Sequence, residues 1–262
     1  MTESIAAAPS ELDPEARDAL AELLLAVADD EFVIGFWDSE WTGIAPMLEE
    51  DVATSSIAQD ELGHAKALYE LLAGLTDDEP DRIAFGRDPD AFRHAALLNH
   101  ARGDWAFSVA RRYLYETADA VRLAALARST HEPLAALAGK MRREETYHLL
   151  HAEAWIGRLA RAGGDGRARL ARSLEELWPD AQEVFAPLEA EERLLQHGLL
   201  LQPMADLHAT WRATVEPVLG PIAGSMPDAA PTSDGRRRRT EDFRWLHGEF
   251  TMVARSEEGA TW

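Results

Sequence analysis

The sequence predicts an all-α fold, a four-helix bundle with additional C-terminal helices. Apolar residues recur at helical spacing through long segments of the 262-residue chain, whereas proline and glycine concentrate in the stretches between those segments. Hydrophobic residues make up 46 % of the chain, which suits a helical globule with a substantial core. No strand of useful length can be drawn in any segment.

The first two predicted helices form a hairpin. Asp13 and Pro14 supply an N-cap and a proline at the first helical position, so we expect a helix from residue 14 to about residue 37. The stretch before it, residues 1–13, is predicted to be a flexible N-terminus. After a short link, the second helix is expected from about residue 47 to residue 73.

A long connection, residues 75–103, separates this hairpin from a second one. It carries prolines, glycines and dense acids, and we expect one short helix in it, from residue 90 to residue 100. A third helix is expected from residue 105 to about residue 128, and a fourth from Glu132 to residue 162. A short link, a long crossover and a second short link are the connectivity of ferritin-like bundles, so the order of elements predicts that architecture.

The last third of the chain, residues 165–262, is expected to pack on this four-helix core (residues 14–164) as flanking helices of the same domain. These helices are expected at about residues 167–177, 187–199, 204–219 and 241–255. Before the last of them, Arg236 to Arg239 form a basic run, which we interpret as a solvated loop. The alternative is a docking patch for an acidic partner or for ligand phosphates.

The composition excludes several classes of function. The chain has no cysteine, so disulfides, thiolate metal sites and cysteine nucleophiles are excluded, and any metal must take oxygen and imidazole ligands. A net charge of −21 argues against binding to nucleic acid, which requires a basic surface. The sequence contains neither an apolar run of roughly 18 residues nor a secretory signal, so we expect a soluble cytoplasmic protein that does not enter the membrane.

Two Glu-x-x-His motifs, each with a glutamate about one helix length upstream, are the clearest chemical signal in the sequence. Positions i and i+3 share one face of an α-helix, so each motif presents a carboxylate and an imidazole side by side. Two packed helical hairpins would direct four carboxylates and two imidazoles to one point, which is the ligand set of a di-iron or di-manganese site. The predicted ligands are Glu31, Glu61, His64, Glu116, Glu145 and His148.

Context, rather than the number of motifs, supports this metal site. With nine histidines in the chain, a Glu-x-x-His tetrapeptide arises readily by chance. The upstream glutamates, however, stand in apolar stretches, Glu31 before Phe32 and Glu116 after Tyr115. A carboxylate persists inside a protein when a metal, a cation or hydrogen-bond donors compensate it. The alternative, which the residues leave open, is a solvated acidic face with two surface histidines.

The predicted carboxylate ligands divide into two roles. Glu61 and Glu145 are expected to bridge two metals, because each also places its own histidine on one of them. Glu31 and Glu116 are then expected to be terminal ligands, one for each metal. This arrangement leaves open positions on the metals where dioxygen could bind.

Two further carboxylates are predicted to hold the histidines in place. Metal-bound histidines usually donate their second N–H to a carboxylate or a carbonyl. Asp60 and Glu144 stand directly before the bridging glutamates, so each is expected to hold the histidine of the opposite motif. Asp38 and Asp119 also lie near the expected site, and we interpret them as hydrogen-bonded core or solvent-facing groups.

Several segments of the chain, taken together, resemble a known protein family. The segments Ile57–Ala65, Ile83–Asp88, Arg111–Tyr113, Arg143–His148 and Gly259–Trp262 together resemble the phenylacetic acid catabolic protein family. Members of this family are ferritin-like subunits of the bacterial multicomponent phenylacetyl-CoA epoxidase. The resemblance is stronger to the C subunits than to the A subunits, and it extends from about residue 20 to the end of the chain.

The resemblance implies a place in phenylacetate catabolism. The A subunits resemble working di-iron monooxygenases, which use dioxygen and electrons from a separate reductase to epoxidise the ring of phenylacetyl-CoA. The C subunits share the fold, typically lack the metal ligands and serve as structural partners of the A subunits. This chain departs from the C-type pattern, because the six predicted ligands occupy positions where the catalytic type would have them.

Three functions follow as alternatives. In the first, the chain is a ferritin-like subunit of an epoxidase-type oxygenase with two iron ions, or manganese, at the six residues. In the second, it is a non-catalytic structural subunit that pairs with the catalytic homologue, and in the third it is a stand-alone di-iron ferroxidase or oxidase. The implied partners are a reductase, an acyl-CoA substrate and a homologous ferritin-like subunit, in a homo- or hetero-oligomer.

Overall fold

The computed structural model describes residues 12–256, and helices account for most of that range. The α-helices are α1 (Pro14–Ser39), α2 (Leu48–Thr76), α3 (Pro80–Phe85), α4 (Trp105–Leu126), α5 (Glu132–Ala162), α6 (Gly164–Ala181), α7 (Glu191–Gln196), α8 (Met204–Ala223) and α9 (Glu241–Thr251). Short 3₁₀ turns lie at Pro89–Ala91, Ala96–Asn99 and Gln182–Phe185. No β-strand occurs within the described residues, which confirms the all-α prediction. Except for residues 12 and 13, the predicted flexible N-terminus lies outside this range, as does the closing segment Gly259–Trp262.

Four long helices form the core of the bundle. α1 packs along α2, α4 packs along α5, and the two hairpins meet where α2 lies against α5. Short links join each pair, whereas the crossover from α2 to α4 holds α3 and two 3₁₀ turns. The predicted ferritin-like connectivity is therefore confirmed. Among the helices of residues 12–256, none combines the length and the apolar composition that crossing a bilayer requires.

Helix α1 is buried along nearly its whole length, and this places three consecutive acids inside the protein. Asp29, Asp30 and Glu31 are each 0 % exposed. The side of α1 that faces away from the bundle is covered by the C-terminal helices α7 and α9. There, Phe32 packs edge-on against Phe250 of α9, with ring centroids 5.0 Å apart. α1 is thus the central helix of the fold, and its charged residues need partners inside the protein.

The helix predicted at residues 90–100 is wrong, because this segment makes its hydrogen bonds elsewhere. The backbone N–H groups of Arg93 and Ala95 donate to Asp29 Oδ2 at 2.6 Å and to Asp30 Oδ1 at 2.7 Å. An amide that donates to a buried carboxylate does not also close a helical hydrogen bond. The crossover therefore compensates the buried charges of α1, and between residues 89 and 100 only two short 3₁₀ turns are helical.

The C-terminal helices differ from their predicted bounds in both directions. The helix predicted at residues 187–199 shortens to α7, because Glu22 of α1 accepts the backbone N–H groups of Glu189 (2.7 Å) and Ala190 (3.0 Å) and holds the chain in a turn. In contrast, α6 and α8 continue past their predicted ends, with Pro179 inside α6 and both Pro217 and Pro221 inside α8.

The basic run from Arg236 to Arg239, here called the arginine loop, is not a solvated loop as expected. Arg236 is 7 % exposed and donates to both oxygens of Asp30 at 3.0 Å and to the Val184 carbonyl at 2.7 Å. Arg239 donates to backbone carbonyls of the crossover. The two arginines between them are exposed. The loop therefore fastens the C-terminal part of the chain to the middle of α1.

Candidate metal centre

The six predicted ligands converge inside the four-helix core. None of them is more than 4 % exposed, so the alternative of a solvated acidic face with surface histidines is wrong. They come from four helices: Glu31 from α1, Glu61 and His64 from α2, Glu116 from α4, and Glu145 and His148 from α5.

The ligand atoms form two overlapping groups, each with one atom per residue and all atoms within 4.8 Å of one another. The first group, called the His64 position, contains Glu31, Glu61, His64 and Glu145. The second group, called the His148 position, contains Glu61, Glu116, Glu145 and His148. Glu61 and Glu145 belong to both groups, and this sharing is the arrangement that bridging carboxylates require.

Both imidazoles turn their Nδ1 atom toward the cluster. His64 Nδ1 lies 3.1 Å from Glu145 Oε1 and 3.4 Å from Glu31 Oε2. His148 Nδ1 lies 3.2 Å from Glu145 Oε2 and 3.4 Å from Glu61 Oε1. Glu145 therefore directs one oxygen to each histidine, and the two ring centroids are 6.3 Å apart.

Most of the inward-facing atoms accept or donate no hydrogen bond among the described residues. These buried atoms are Glu31 Oε2, Glu61 Oε2, His64 Nδ1, Glu116 Oε2, both Glu145 carboxylate oxygens and His148 Nδ1. A buried polar atom without a partner costs about 1–3 kcal/mol, and such atoms are rare in proteins. Divalent metals bind carboxylate oxygen and imidazole nitrogen, so this buried donor set is compatible with a metal site.

The pKa shifts within the cluster also indicate that it favours bound positive charge. Burial, together with the carboxylates of Glu145 and Glu31, raises the pKa of Glu61 well above its ordinary value. Burial and Glu145 likewise raise the pKa of Glu116. Burial alone would lower the pKa of His64, but the carboxylates of Glu145, Glu31 and Glu61 outweigh burial and raise that pKa. Carboxylates this close together retain protons or cations between them.

Asp60 and Glu144 hold the outward nitrogens of the two histidines crosswise. His64 Nε2 lies 2.8 Å from Glu144 Oε2, and His148 Nε2 lies 3.3 Å from Asp60 Oδ2. An ionised carboxylate only accepts hydrogen bonds, so each Nε2–H donates, and Nδ1 is left facing the cluster, where a ring without a second proton presents its lone pair. Each carboxylate contacts the histidine of the opposite motif, in the arrangement expected from the sequence.

Tyr115 and Arg122 hold Glu31 from its outer side. The Tyr115 hydroxyl donates to Glu31 Oε1 at 2.7 Å, and Arg122 Nη2 lies 3.4 Å from the same oxygen. Arg122 also pairs with Asp30 and Asp119, so Asp119 is a hydrogen-bonded core group. The surrounding side chains thus fix one oxygen of Glu31, while its other oxygen faces the His64 position. Arg122 was not predicted from the sequence, although Asp119 lies three residues before it on the same helix; its contacts with Asp30 and Glu31 come from α1 and have no local signal.

Arg112 of α4 reaches into the cluster at the other position. Its Nη1 lies 3.1 Å from Glu61 Oε1 and contacts Glu116 Oε1, while its Nη2 pairs with Asp38. Both Arg112 and Asp38 are almost fully buried. No role was predicted for Arg112, although its spacing from Glu116 was a usable signal, since residues i and i+4 share a helix face.

A small cavity lies beside Arg112. Its volume of about 20 Å³ gives room for about one water molecule. Trp41, Trp105 and Trp155 form much of its wall, and the ring of Trp105 packs edge-on against both of the others. The cavity therefore adjoins the cluster on the side where Arg112 enters it.

Similarity to known proteins identifies the family to which the chain belongs. The family model described as "Phenylacetic acid catabolic protein" matches residues 1–262. The chain is 27 % identical to the C subunit of 1,2-phenylacetyl-CoA epoxidase from Escherichia coli (strain K12) over 246 residues, covering 93 % of this chain and 99 % of that one. It is 25 % identical to the A subunit of the same epoxidase over 183 residues, covering 68 % of this chain and 58 % of that one. The chain therefore belongs to the phenylacetic acid catabolic protein family.

Proposed function

We propose that this chain is a ferritin-like subunit of a multicomponent oxygenase of the phenylacetyl-CoA epoxidase type, and that it holds a carboxylate-bridged di-iron centre of its own. The observation that carries the proposal is the position of Glu61 and Glu145, which are buried and shared by both ligand groups. The two relatives supply the type of reaction, since both are subunits of a phenylacetyl-CoA epoxidase.

Each ligand has a defined part in the proposed centre. When bound, a reduced di-iron pair supplies the activation of dioxygen, which no amino-acid side chain provides. Manganese takes the same donors, so iron is proposed from the type of reaction rather than from the ligand set. The bridging ligands are Glu61 and Glu145, the terminal carboxylates are Glu31 and Glu116, and the imidazole ligands, through Nδ1, are His64 and His148.

The surrounding chain orients these ligands and keeps water away from them. Tyr115 fixes the outer oxygen of Glu31, and Glu144 and Asp60 set the tautomer and the ring orientation of the two histidines. Because the cluster is buried, charges within it interact more strongly than they would in water.

A non-catalytic structural role is the second candidate. The similarity to the C subunit extends over 93 % of this chain, against 68 % for the A subunit, and Arg112 already neutralises part of the carboxylate charge. In that role the chain would pair with a homologous ferritin-like subunit that performs the oxidation.

Metal analysis and reconstitution separate these functions. After expression with iron, the oxygenase proposal requires about two iron ions per chain, together with oxygen-dependent consumption of phenylacetyl-CoA when a reductase and the ferritin-like homologue are added. A structural subunit would bind the homologue stably but carry no metal. Rapid iron oxidation without any organic substrate would instead identify a ferroxidase.

Removing Glu144 should weaken metal binding although it is not a ligand. Glu144→Ala takes away the acceptor of the His64 Nε2–H group, so the ring loses its fixed orientation and some of its basicity. Loss of such a support typically lowers metal affinity about 10- to 100-fold, and a competition titration with a chelator measures this. Glu153→Ala, at an exposed position of the same helix, is the matched control. Equal affinity in the two variants would separate Glu144 from the centre.

A further inference from the structure

The two metal positions differ in how many of their atoms already have a partner. At the His64 position, the inward atoms Glu31 Oε2, Glu61 Oε2, His64 Nδ1 and Glu145 Oε1 are all without a hydrogen bond among the described residues. At the His148 position, Glu116 Oε2, Glu145 Oε2 and His148 Nδ1 are also without a hydrogen bond within the described range, but Glu61 Oε1 and Glu116 Oε1 both accept from Arg112. The first position is ready to receive a cation, whereas the second already contains a guanidinium group.

We propose that Arg112 competes internally for the His148 position, so that metal fills the His64 position first and enters the His148 position only by displacing the guanidinium. This inference rests on the proposed metal centre. An arginine side chain remains protonated in proteins, so a second cation on Glu61 and Glu116 meets a like charge and must also break two charge-assisted hydrogen bonds.

Arg122 does not impose the same competition at the His64 position. It lies 3.4 Å from Glu31 Oε1, the oxygen that also accepts from Tyr115 and faces away from the cluster. Its guanidinium is held by Asp30 and Asp119 on its other sides. Glu31 Oε2 therefore stays free for a metal while Arg122 remains in place.

Asp38 offers Arg112 an anionic partner outside the six proposed ligands. Arg112 Nη2 already pairs with Asp38, which is 3 % exposed. The small cavity walled by the three tryptophans lies on the same side and is lined by both residues. A rotation of the guanidinium that keeps its contact with Asp38 and swings Nη1 away from the cluster would release Glu61 and Glu116 without leaving the group unpaired. Asp38 would thus serve as its alternative anionic partner.

Titration of the metal-depleted full-length chain with Mn²⁺ tests this order. Calorimetry gives the two dissociation constants, and EPR distinguishes a single bound Mn²⁺ from a coupled pair. We expect one Mn²⁺ ion to bind in a tight step and a second to bind in a weak step, with a dissociation constant at least tenfold higher. His148→Ala should remove the weak step and His64→Ala the tight one. Two equal constants in the unaltered chain would overturn the inference while leaving the proposed metal centre intact.

Substitutions of Arg112 test its role directly. Arg112→Gln removes the charge but keeps a polar side chain. It should lower the dissociation constant of the second Mn²⁺ ion at least tenfold while changing that of the first less than threefold. Arg112→Lys keeps the charge and should keep the second step weak. Arg212→Gln, on α8 and remote from the six ligands, is the control. An unchanged second step in Arg112→Gln overturns the inference, and absence of Mn²⁺ binding in every form overturns both the inference and the proposed centre.

Discussion

Replacing Glu145 by alanine should abolish metal binding at both positions at once. Glu145 is the residue whose two oxygens face the two histidines, at 3.1 and 3.2 Å, so its loss removes a ligand from each group. We expect the metal content to fall from two ions per chain to almost none, measured by elemental analysis after expression with iron. The heat stability gained on adding metal, which follows from binding to the folded state alone, should disappear as well.

Glu144→Ala provides an internal comparison for this result, because Glu144 is adjacent in sequence but lies outside the ligand set. That variant should still reach two ions per chain when the metal concentration is high, whereas Glu145→Ala should not. Circular dichroism should show the same helical content in both variants. A Glu145→Ala chain that retains two tightly bound ions would exclude the bridging role and, with it, the proposed geometry of the centre.

Loss of the Asp30 carboxylate should destabilise the fold more than the loss of any exposed charge in this chain. Asp30 is fully buried and accepts from Arg122, Arg236 and the Ala95 amide. Asp30→Ala leaves two buried guanidinium groups short of a partner, and breaking a buried ion pair in this way costs about 3–5 kcal/mol. Urea denaturation measures this change in the free energy of unfolding.

Two further variants serve as controls for the Asp30→Ala measurement. Asp30→Asn keeps the shape but not the charge, and we expect an intermediate loss of about 2 kcal/mol. Asp228→Ala removes the fully exposed partner of Arg212, and an exposed ion pair of this kind contributes little to stability. If Asp30→Ala were no more destabilising than Asp228→Ala, the buried network would not stabilise the fold.

The stability contributed by Asp30 should also depend on pH. Burial raises the pKa of Asp30, but Arg236 and Arg122 outweigh burial and hold that pKa below its ordinary value of 3.8. A carboxyl group with a lowered pKa in the folded state contributes stability above its unfolded pKa and loses it as the pH falls through the folded value. The stability difference between the unaltered chain and Asp30→Asn should therefore be full at neutral pH and shrink below about pH 4.

The convergence of the six candidate ligands could be predicted from the sequence because helical geometry is local. Glu61 and His64 had to share a face of α2, as did Glu145 and His148 on α5, whatever else the chain did. The contact between Glu144 and His64 can be explained in the same way. Glu144 directly precedes the motif on α5, and because α2 and α5 run antiparallel, this position lies beside the histidine of the motif on α2. Whether these six residues hold metal stays a prediction for the iron analysis and the Mn²⁺ titrations.

The partners of the charged residues could not be predicted in the same way, because they come from distant parts of the chain. Arg112 and Arg122 each pair with one carboxylate on their own helix, which helical spacing can indicate. Their other partners lie on α1 and α2, and no periodicity shows which carboxylate on another helix an arginine will meet. The arginine loop looked solvated because four consecutive basic residues usually are. Its burial depends on Asp30, a residue that the sequence alone placed on an ordinary amphipathic helix.

The pairing of Arg236 with Asp30 joins residues that are 206 positions apart in the chain, one residue away from the proposed ligand Glu31. A minimal version of this protein, trimmed to its four long helices, would keep every proposed ligand but lose the ion pair that joins the C-terminal segment to α1. Transplanting the metal centre into a smaller scaffold would therefore require a substitute cation at that point. The C-terminal segment would then support the proposed centre by holding α1, the helix that carries Glu31.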